Sequence, residues 1–565
     1  MLNVGRYQKN PVLAFKERTW PDHEIGKAPI WCSVDLRDGN QALIEPMNVD
    51  EKMELFDLLV ELGFKEIEIG FPAASQIEYD FLRRLVRENK IPKDVKVQIL
   101  SQCRKELIDK SFEAIQGIPN VVFHIYNSTS TLQREVVFGK SREEIIDIAV
   151  AGTRMVREGM KKYDGHLQLE YSPESFTGTE VDFSLEICTA VQKEWGDATP
   201  GVPIIFNLPA TVEMNTPNVY ADQIEWMSTH FEKRDQVILS VHPHNDRGTG
   251  IACTELALLA GAERVEGTLL GNGERTGNVD ILNVAYNMFS QGVDPGLEIG
   301  DIKKIVEVYE RCTKMEVDER HPYAGKLVFT AFSGSHQDAI NKGVKALKKK
   351  QETQVDVKWQ VPYLPIDPAD IGREYEPVVR INSQSGKGGV AYVMDSVYGY
   401  KLPKRMQREF ADVIQYLSEQ EGGEIKPEQI IKAFRKEYIG LTDPFELVYV
   451  DVYDNTRNEE TDVVLDFCYN GNRFKSEASG NGPINAVKFA IRQYVPEVDF
   501  QVRDYSEHSL SVGSHSKAIA YIEMEDRRNG NVVFGVGISS NITRASIRGM
   551  FSALNRLEKK ARMAD

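Results

Sequence analysis

Between residues 29 and 290, short runs of apolar and β-branched residues alternate with longer stretches whose apolar positions recur at three- and four-residue spacing. The runs are Ile30–Asp35, Glu66–Phe71, Val95–Ser101, Val121–Tyr126, Leu167–Tyr171, Ile204–Leu208, Val237–His242 and Val265–Leu270, and each predicts a strand. Intervening segments such as VDEKMELFDLLVELG and SREEIIDIAVAGTRMVREGM predict amphipathic helices, with Asp or Ser near their starts as capping groups. Eight such βα units in about 260 residues predict a parallel α/β fold of the (β/α)8 type, a TIM barrel. An open doubly wound sheet is the alternative, because the number of strands does not by itself close a sheet.

After about residue 295 the alternation ends. Helical patterns follow, DIKKIVEVYERCTK and SHQDAINKGVKALKKKQE, and then the irregular stretch VPYLPIDPADIGREYEPVVRINSQSGKGG. The predicted organisation is a barrel over residues 1–295, helical linker subdomains over 296–425 and an α+β domain over 426–565. The last part holds an internal repeat of about 60 residues, RFKSEASGNGPINAVKFAI and VVFGVGISSNITRASIRGMF, with Ser479 and Asn481 opposite Ser539 and Asn541. Two such units suggest a pseudo-twofold module with a cleft for a small ligand; a duplicated packing module that binds nothing is the alternative.

The net charge of −17 argues against an extended nucleic-acid or anionic-membrane surface. No window reaches the length of a membrane helix, and MLNVGRYQKNPVLAFKERTW lacks the apolar stretch of a secretory signal. A short basic start containing Glu17 is a poor transit peptide, so a cytoplasmic location is expected. Six scattered cysteines without a C-x-x-C pair imply neither a disulfide framework nor a thiolate zinc site. The glycine-rich run Ser385–Gly389 lacks phosphate-loop spacing and reads as a turn, with contact between Lys387 and a CoA phosphate as a lesser option.

A barrel of this class carries its chemistry where the strands end at their C-termini, and those ends are polar here. Asp38 and Arg37 follow the first run, His124 lies in the fourth, Ser172 and Glu174 end the fifth, and Thr211 ends the sixth. His242 and His244 close the seventh, and Asn278 follows the eighth. Residues two apart on a strand share a face, so the two imidazoles can bind one cation, with Asp38 adding a carboxylate and Asn278 an amide oxygen. This donor set suits Zn, Mn or Mg with positions left open, and such a cation can chelate a 2-oxo acid and polarise its ketone. Arg37 can stabilise a developing oxyanion, Ser172 and Thr211 can hydrogen-bond a carboxylate, and Glu174 and His336 are candidates for proton transfer.

The segments L-R-D-G-N-Q at Leu36–Gln41, V-H-P-H-N-D-R-G-T-G at Val241–Gly250 and G-N-G-E-R-T-G-N at Gly271–Asn278 resemble the signatures of the 2-isopropylmalate synthase family. W-C-S-V-D-L-R-D-G-N-Q-A-L and N-L-P-A-T-V-E-M are similar to its longer, second type, and Y-S-P-E, F-S-G-S-H-Q-D-A and R-I-N-S-Q-S-G-K-G-G extend the resemblance over nearly the whole chain. The resemblance implies a transferase that condenses acetyl-CoA with 3-methyl-2-oxobutanoate and water in leucine biosynthesis. It implies metal ligands Asp38, His242 and His244 with Asn278, a catalytic Arg37, and an oxo-acid pocket of His124, Ser172, Glu174 and Thr211. His336 and Tyr363 match residues that a partner subunit presents in a homodimer. The terminal domain then becomes a leucine-binding regulatory domain. Gly480–Pro483 and Gly537–Asn541 match its loops before the helices, and its ligand residues would be Gly480, Asn481, Gly482, Pro483, Tyr505, Ser509, Ile538 and Asn541. A divalent metal and acetyl-CoA are implied, and a monovalent cation is an optional activator. The competing readings are homocitrate or citramalate synthesis, a metal-dependent lyase on the same barrel, and a non-catalytic amino-acid sensor.

Overall fold

The computed structural model describes residues 6, 8–331, 334–375, 387–421, 425–455, 460–510 and 516–564. They form two compact units, 1–329 with 366–374, and 330–365 with 375–565.

In the first unit eight parallel strands close into a barrel: β1 (Ile30–Ser33), β2 (Glu66–Gly70), β3 (Lys96–Gln102), β4 (Asn120–Ser128), β5 (His166–Glu174), β6 (Ile204–Ala210), β7 (Val237–Pro243) and β8 (Arg264–Gly267). The β1–β8 pairing, with Ile30 opposite Arg264 and Ser33 opposite Gly267, completes the ring and disposes of the open sheet. Each strand is followed by a helix. Those at Val49–Glu61 and Arg142–Met160 begin in reciprocal capping boxes, Asn48 with Glu51 and Ser141 with Glu144.

The strands are not apolar on both faces, as the word "run" would suggest. In β2 the sequence Glu66-Ile67-Glu68-Ile69 buries all four side chains. Ile67 and Ile69 belong to the apolar layer under the helices, while Glu66 and Glu68 bond across the barrel interior to Arg264 and Arg37. The apolar core is thus a sleeve outside the strands, and the centre is a polar cross-section.

The second unit has helices at Gly334–Gln351, Lys387–Ser396, Lys404–Glu421 and Pro427–Tyr438, then two ββ β α repeats. The first joins β9 (Phe445–Asn455), β10 (Glu460–Tyr469) and β11 (Asn472–Gly480) to the helix Pro483–Arg492. The second joins β12 (Phe500–Ser509), β13 (Ala518–Asp526) and β14 (Val532–Ser539) to the helix Ile542–Ala564. Alternation along β13 serves two cores. Ala520, Ile522 and Met524 face the helices of the repeats, whereas Ile519 and Tyr521 pack against Phe410, Phe434 and Tyr438 of the preceding helices. Ser385 and Gly386 lie outside the described residues, and Lys387–Gly389 open a helix rather than continue the expected turn, since the following Val390, Val393 and Met394 are an apolar face with a core to enter.

Candidate active site

Asp35–Gly39 form a π-helical turn directly after β1, with the Asp38 amide donating to the Val34 carbonyl at 2.9 Å. A buried ammonium, Lys52 Nζ, donates to the Leu36 carbonyl at 2.9 Å and ties the turn to the first barrel helix. The turn delivers Asp38 to the barrel mouth opposite β7. Its Oδ2 lies 3.4 Å from His242 Nε2 and 3.9 Å from His244 Nε2, and all three side chains are buried.

The protonation of this trio is set by its own fields. Burial works against the Asp38 carboxylate, yet the Arg37 guanidinium and the two imidazoles hold it well below the usual carboxylate range. Burial also works against charge on His242, but the neighbouring Asp38 and Glu266 carboxylates push it up to about 9; His244, buried beside that charge, drops to about 4. One proton therefore does what a cation would do, and the donors fit one. Asp38 Oδ2 and Asn278 Oδ1 are buried without a hydrogen-bond partner, an arrangement that is costly unless something else fills it. Asn278 reaches the site through a bridge to His244, and Gly273 lets it sit there: a Cβ on Gly273 would lie 2.3 Å from the Asn278 amide nitrogen, at φ +159°.

From these side chains a ring of hydrogen bonds runs round the mouth. Arg37 donates to Asp38 at 2.6 Å and to Glu68 at 2.5 Å. His124 Nδ1 donates to Glu68 at 3.0 Å, which leaves Nε2 to accept from the Ser172 hydroxyl at 2.7 Å. Asn207 donates to Ser172 at 3.1 Å and to Glu266 at 3.0 Å, and Glu266 receives His242 Nδ1–H at 2.8 Å. The ring encloses a cleft of about 190 Å3 that is also lined by Leu100, Tyr126, Glu174, Pro209, Thr211 and Arg275. Glu174 accepts from the Ser128 hydroxyl, and Thr211 Oγ1 accepts from the Ser175 amide at 3.0 Å. Arg37, Asp38, His124, Ser172, Glu174, Thr211, His242 and His244 therefore share one cleft, as their positions at the strand ends predict.

Residues 28–308 match the HMGL-like family, 326–395 the alpha-isopropylmalate synthase post-catalytic domain-like family, and 424–558 the LeuA allosteric (dimerisation) domain. The 2-isopropylmalate synthase of Clostridium acetobutylicum is 53% identical over 98% of this chain and all of its own length. Those of Agrobacterium fabrum and Mesorhizobium japonicum are each 52% identical over 99% of both chains. The chain belongs to the 2-isopropylmalate synthase family. Among solved structures, an HMG-CoA lyase of Bacillus subtilis is 18% identical, covering 52% of this chain and 95% of its own, with a TM-score of 0.41.

Two of the expected catalytic residues, His336 and the exposed Tyr363, belong to the second unit rather than to the barrel unit, and their rings stack with centroids 4.2 Å apart. The expected regulatory residues separate into groups. Asn481, Gly482 and Pro483 line a cavity of about 450 Å3 with Lys488, Phe500, Val502 and Arg527. Ile538 and Gly537 line another of about 230 Å3 with Leu441, Leu447 and Phe551. Tyr505 bonds to Ser546 at 2.9 Å, Ser509 to Ser516 at 2.5 Å, and Asn541 caps its helix through the Arg544 amide at 3.0 Å.

What strand ends alone do not reveal is the layer beneath them: Glu66, Glu68, Gln98, Glu170, Arg264 and Glu266, all buried. The signal was present in E-I-E-I, Q-L-E-Y and R-V-E-G, where charged or amide residues alternate inside strand-forming runs. Burial among Glu266 and Glu68 keeps the Glu170 carboxyl well above the usual range despite Arg264, whereas Arg264 and His242 overcome burial to hold Glu266 well below it. Among the described residues no helix is long and apolar enough to cross a membrane.

Proposed function

We propose that the chain condenses acetyl-CoA with 3-methyl-2-oxobutanoate and water to give 2-isopropylmalate and CoA, under feedback inhibition by leucine. The observation that carries this is the cleft itself: an Asp-His-His donor set with unpartnered buried atoms, beside a fixed guanidinium and an apolar wall of Leu100 and Pro209. Asp38, His242 and His244 would hold a divalent ion, with Asn278 beside them; when bound, the ion supplies Lewis-acid polarisation of the 2-oxo group. Thr211 donates to the oxo acid, and Ser172 and His124 form the wall of its pocket. A base, proposed as Glu174 acting with His336, removes a proton from the acetyl methyl, and the resulting carbon nucleophile forms the new bond to C2. The ketone oxygen takes up the negative charge facing Arg37 and is protonated to the hydroxyl. Water then attacks the thioester carbonyl and the CoA thiol leaves. The family resemblance assigns His336 and Tyr363 to the partner subunit of a homodimer. Magnesium, manganese and zinc all suit the donor set, and a monovalent activator is compatible with it.

For leucine we infer the cavity at Asn481–Pro483, where amides at the start of the helix Pro483–Arg492 suit a carboxylate and Phe500 and Val502 suit an isobutyl group. The test is thiol release from acetyl-CoA with Mg2+ or Mn2+ and, separately, 3-methyl-2-oxobutanoate, 2-oxoglutarate or pyruvate, each with and without leucine. Preference for the branched acid with leucine inhibition is the expected result. Preference for another acid replaces the substrate, and no thiol with any of them overturns the condensation.

A further inference from the structure

Below the mouth, one carboxylate touches both halves of the site. Glu266 Oε2 receives His242 Nδ1–H at 2.8 Å and the Asn207 amide at 3.0 Å; Oε1 receives Gln98 at 2.7 Å and Arg264 at 3.0 Å. Four donors fill the four lone-pair sites of a carboxylate, so the group has no freedom to turn. Gln98 is itself oriented, since its oxygen accepts from Arg264 Nη2 at 2.6 Å.

Resting on the proposed function above, we propose that Glu266 is a positioning residue that aligns a metal ligand and the oxo-acid pocket at the same time. On the metal side, Glu266 holds the Nδ1 proton of His242, so that when a cation replaces the Nε2 proton the lone pair of Nε2 faces the space it shares with Asp38 Oδ2. A second partner of this kind fixes both tautomer and ring angle, and its loss typically costs 10–100-fold in metal affinity. On the substrate side, Asn207 gives its amide hydrogens to Glu266 and to Ser172, and so fixes the Ser172 hydroxyl at the wall of the cleft. The Ser172 hydroxyl, accepting from Asn207, is in turn committed to His124. Without the carboxylate both alignments relax: His242 is free to take the other tautomer, and Asn207 is free to flip.

The test is Glu266→Gln. An amide cannot accept from all four donors, so either His242 and Asn207 or Arg264 and Gln98 face an N–H. Mn2+ binding to the metal-free protein, read as free Mn2+ by electron paramagnetic resonance, and KM for 3-methyl-2-oxobutanoate at saturating Mn2+ are measured on material whose circular dichroism matches the parent. The expected result is a rise of about 10–100-fold in the Mn2+ Kd, together with a rise in KM for the oxo acid and no change in KM for acetyl-CoA. If Glu266 only neutralises Arg264, the variant loses urea resistance while its Mn2+ Kd and both KM values stay at parent levels, and the proposal fails. A changed Kd with an unchanged oxo-acid KM overturns the Asn207 half. If Glu266→Gln does not fold, the double variant Glu266→Gln/Arg264→Gln, which removes the opposed charges together, is read in the same way. His244→Ala separates the two levels of argument, because His244 does not touch Glu266: parent-like Mn2+ binding in His244→Ala overturns the metal site itself and not the positioning role.

Discussion

The centre of the barrel and the centre of the terminal domain are built on opposite principles. Inside the barrel, Glu66, Glu68, Glu170 and Glu266 meet Arg264 and Arg37, and the apolar partners of the same strands, such as Ile67 and Ile69, face outward beneath the helices. Inside the terminal domain Leu465, Phe467, Val487, Ile522 and Phe551 pack on one another, and its cavities lie on loops around that core. Apolar packing is non-directional and tolerates small changes, whereas buried charges are favourable only while every partner is present. The barrel draws its stability from its sleeve so that its centre can aim side chains, and the terminal domain keeps its centre for stability and has its cavities at the edge.

The sharpest way to break this comparison is to remove an aimed group. His242→Ala deletes one imidazole of the proposed cation site at the end of β7 without touching the sleeve. Activity is expected to fall by about 1,000-fold or more, as for loss of a group that acts only in the transition state, with unchanged circular dichroism. Retained turnover would detach the mouth from the chemistry. One step below it in effect, Arg264→Met leaves Glu66, Glu170 and Glu266 facing each other without their common cation. Breaking a buried ion network from one side costs about 3–5 kcal/mol, read as a lower midpoint in urea. Leu465→Ala in the terminal core costs about 2–5 kcal/mol through its cavity. The contrast lies in salt and pH: the Leu465 variant should lose the same amount at every pH, and the Arg264 variant should recover part of its loss in acid, where the orphaned carboxylates take up protons.

Asp35 extends the same test to a single carboxyl. It is buried at the start of the turn, where it accepts from the Ser33 hydroxyl at 2.7 Å and the Leu269 amide at 3.0 Å, and burial pushes it up to about 7. Below about pH 4 both folded and unfolded chains carry this proton and its contribution is complete. Between about pH 4 and about pH 7 the unfolded chain ionises first, so the folded state loses stability as pH rises, and above about 7 the loss is complete. Asp35→Asn should remove that part of the decline, seen as a smaller difference between urea midpoints at about pH 5 and about pH 7.5 than in the parent.

Both regions were legible in the sequence to different depths. The barrel followed from eight βα units, and its mouth from polar residues at strand ends, because a parallel barrel places all those ends on one rim. The repeat at Ser479–Asn481 and Ser539–Asn541 foretold the paired ββ β α units. The charged layer was not found, since a search for apolar runs reads Glu66 and Arg264 as strand borders, when they are the inward half of a period-two pattern. Nor could spacing separate the regulatory residues. Asn481 lines a cavity and its repeat partner Asn541 caps a helix, although their local sequences are alike.

A smaller effect is expected at the terminal-domain edge. A Cβ on Gly480 would lie 2.6 Å from the Ala486 nitrogen and 3.0 Å from its Cα, backbone atoms that cannot yield without moving the start of the helix Pro483–Arg492. Gly480→Ala should raise the leucine concentration for half inhibition by about tenfold, or about 1.4 kcal/mol of effector binding, and leave turnover without leucine at the parent level. Equal sensitivity in the variant would move the effector away from this loop.

The smallest effect closes the comparison from the outside of the same barrel. Lys105 and Asp109 form an ion pair at 2.7 Å on the helix Lys105–Ala114, and both side chains are mostly exposed, at 72% and 62%. Chemically the pair differs little from Arg264 with Glu66, which meet at 2.6 Å with almost no exposure. What differs is the solvent. Water screens the exposed pair and takes over the role of either partner when the other is removed, so Lys105→Met should shift stability by no more than about 0.5 kcal/mol, and by less at high salt. Arg264 is fully buried, so bulk solvent does not take its place when it is removed. A loss at Lys105 comparable to that at Arg264 would mean that charge pairing in general stabilises this fold; the expected gap of about six- to tenfold assigns the cost to burial, and with it explains why a central charge such as Glu266 is held by four partners before it can hold anything else.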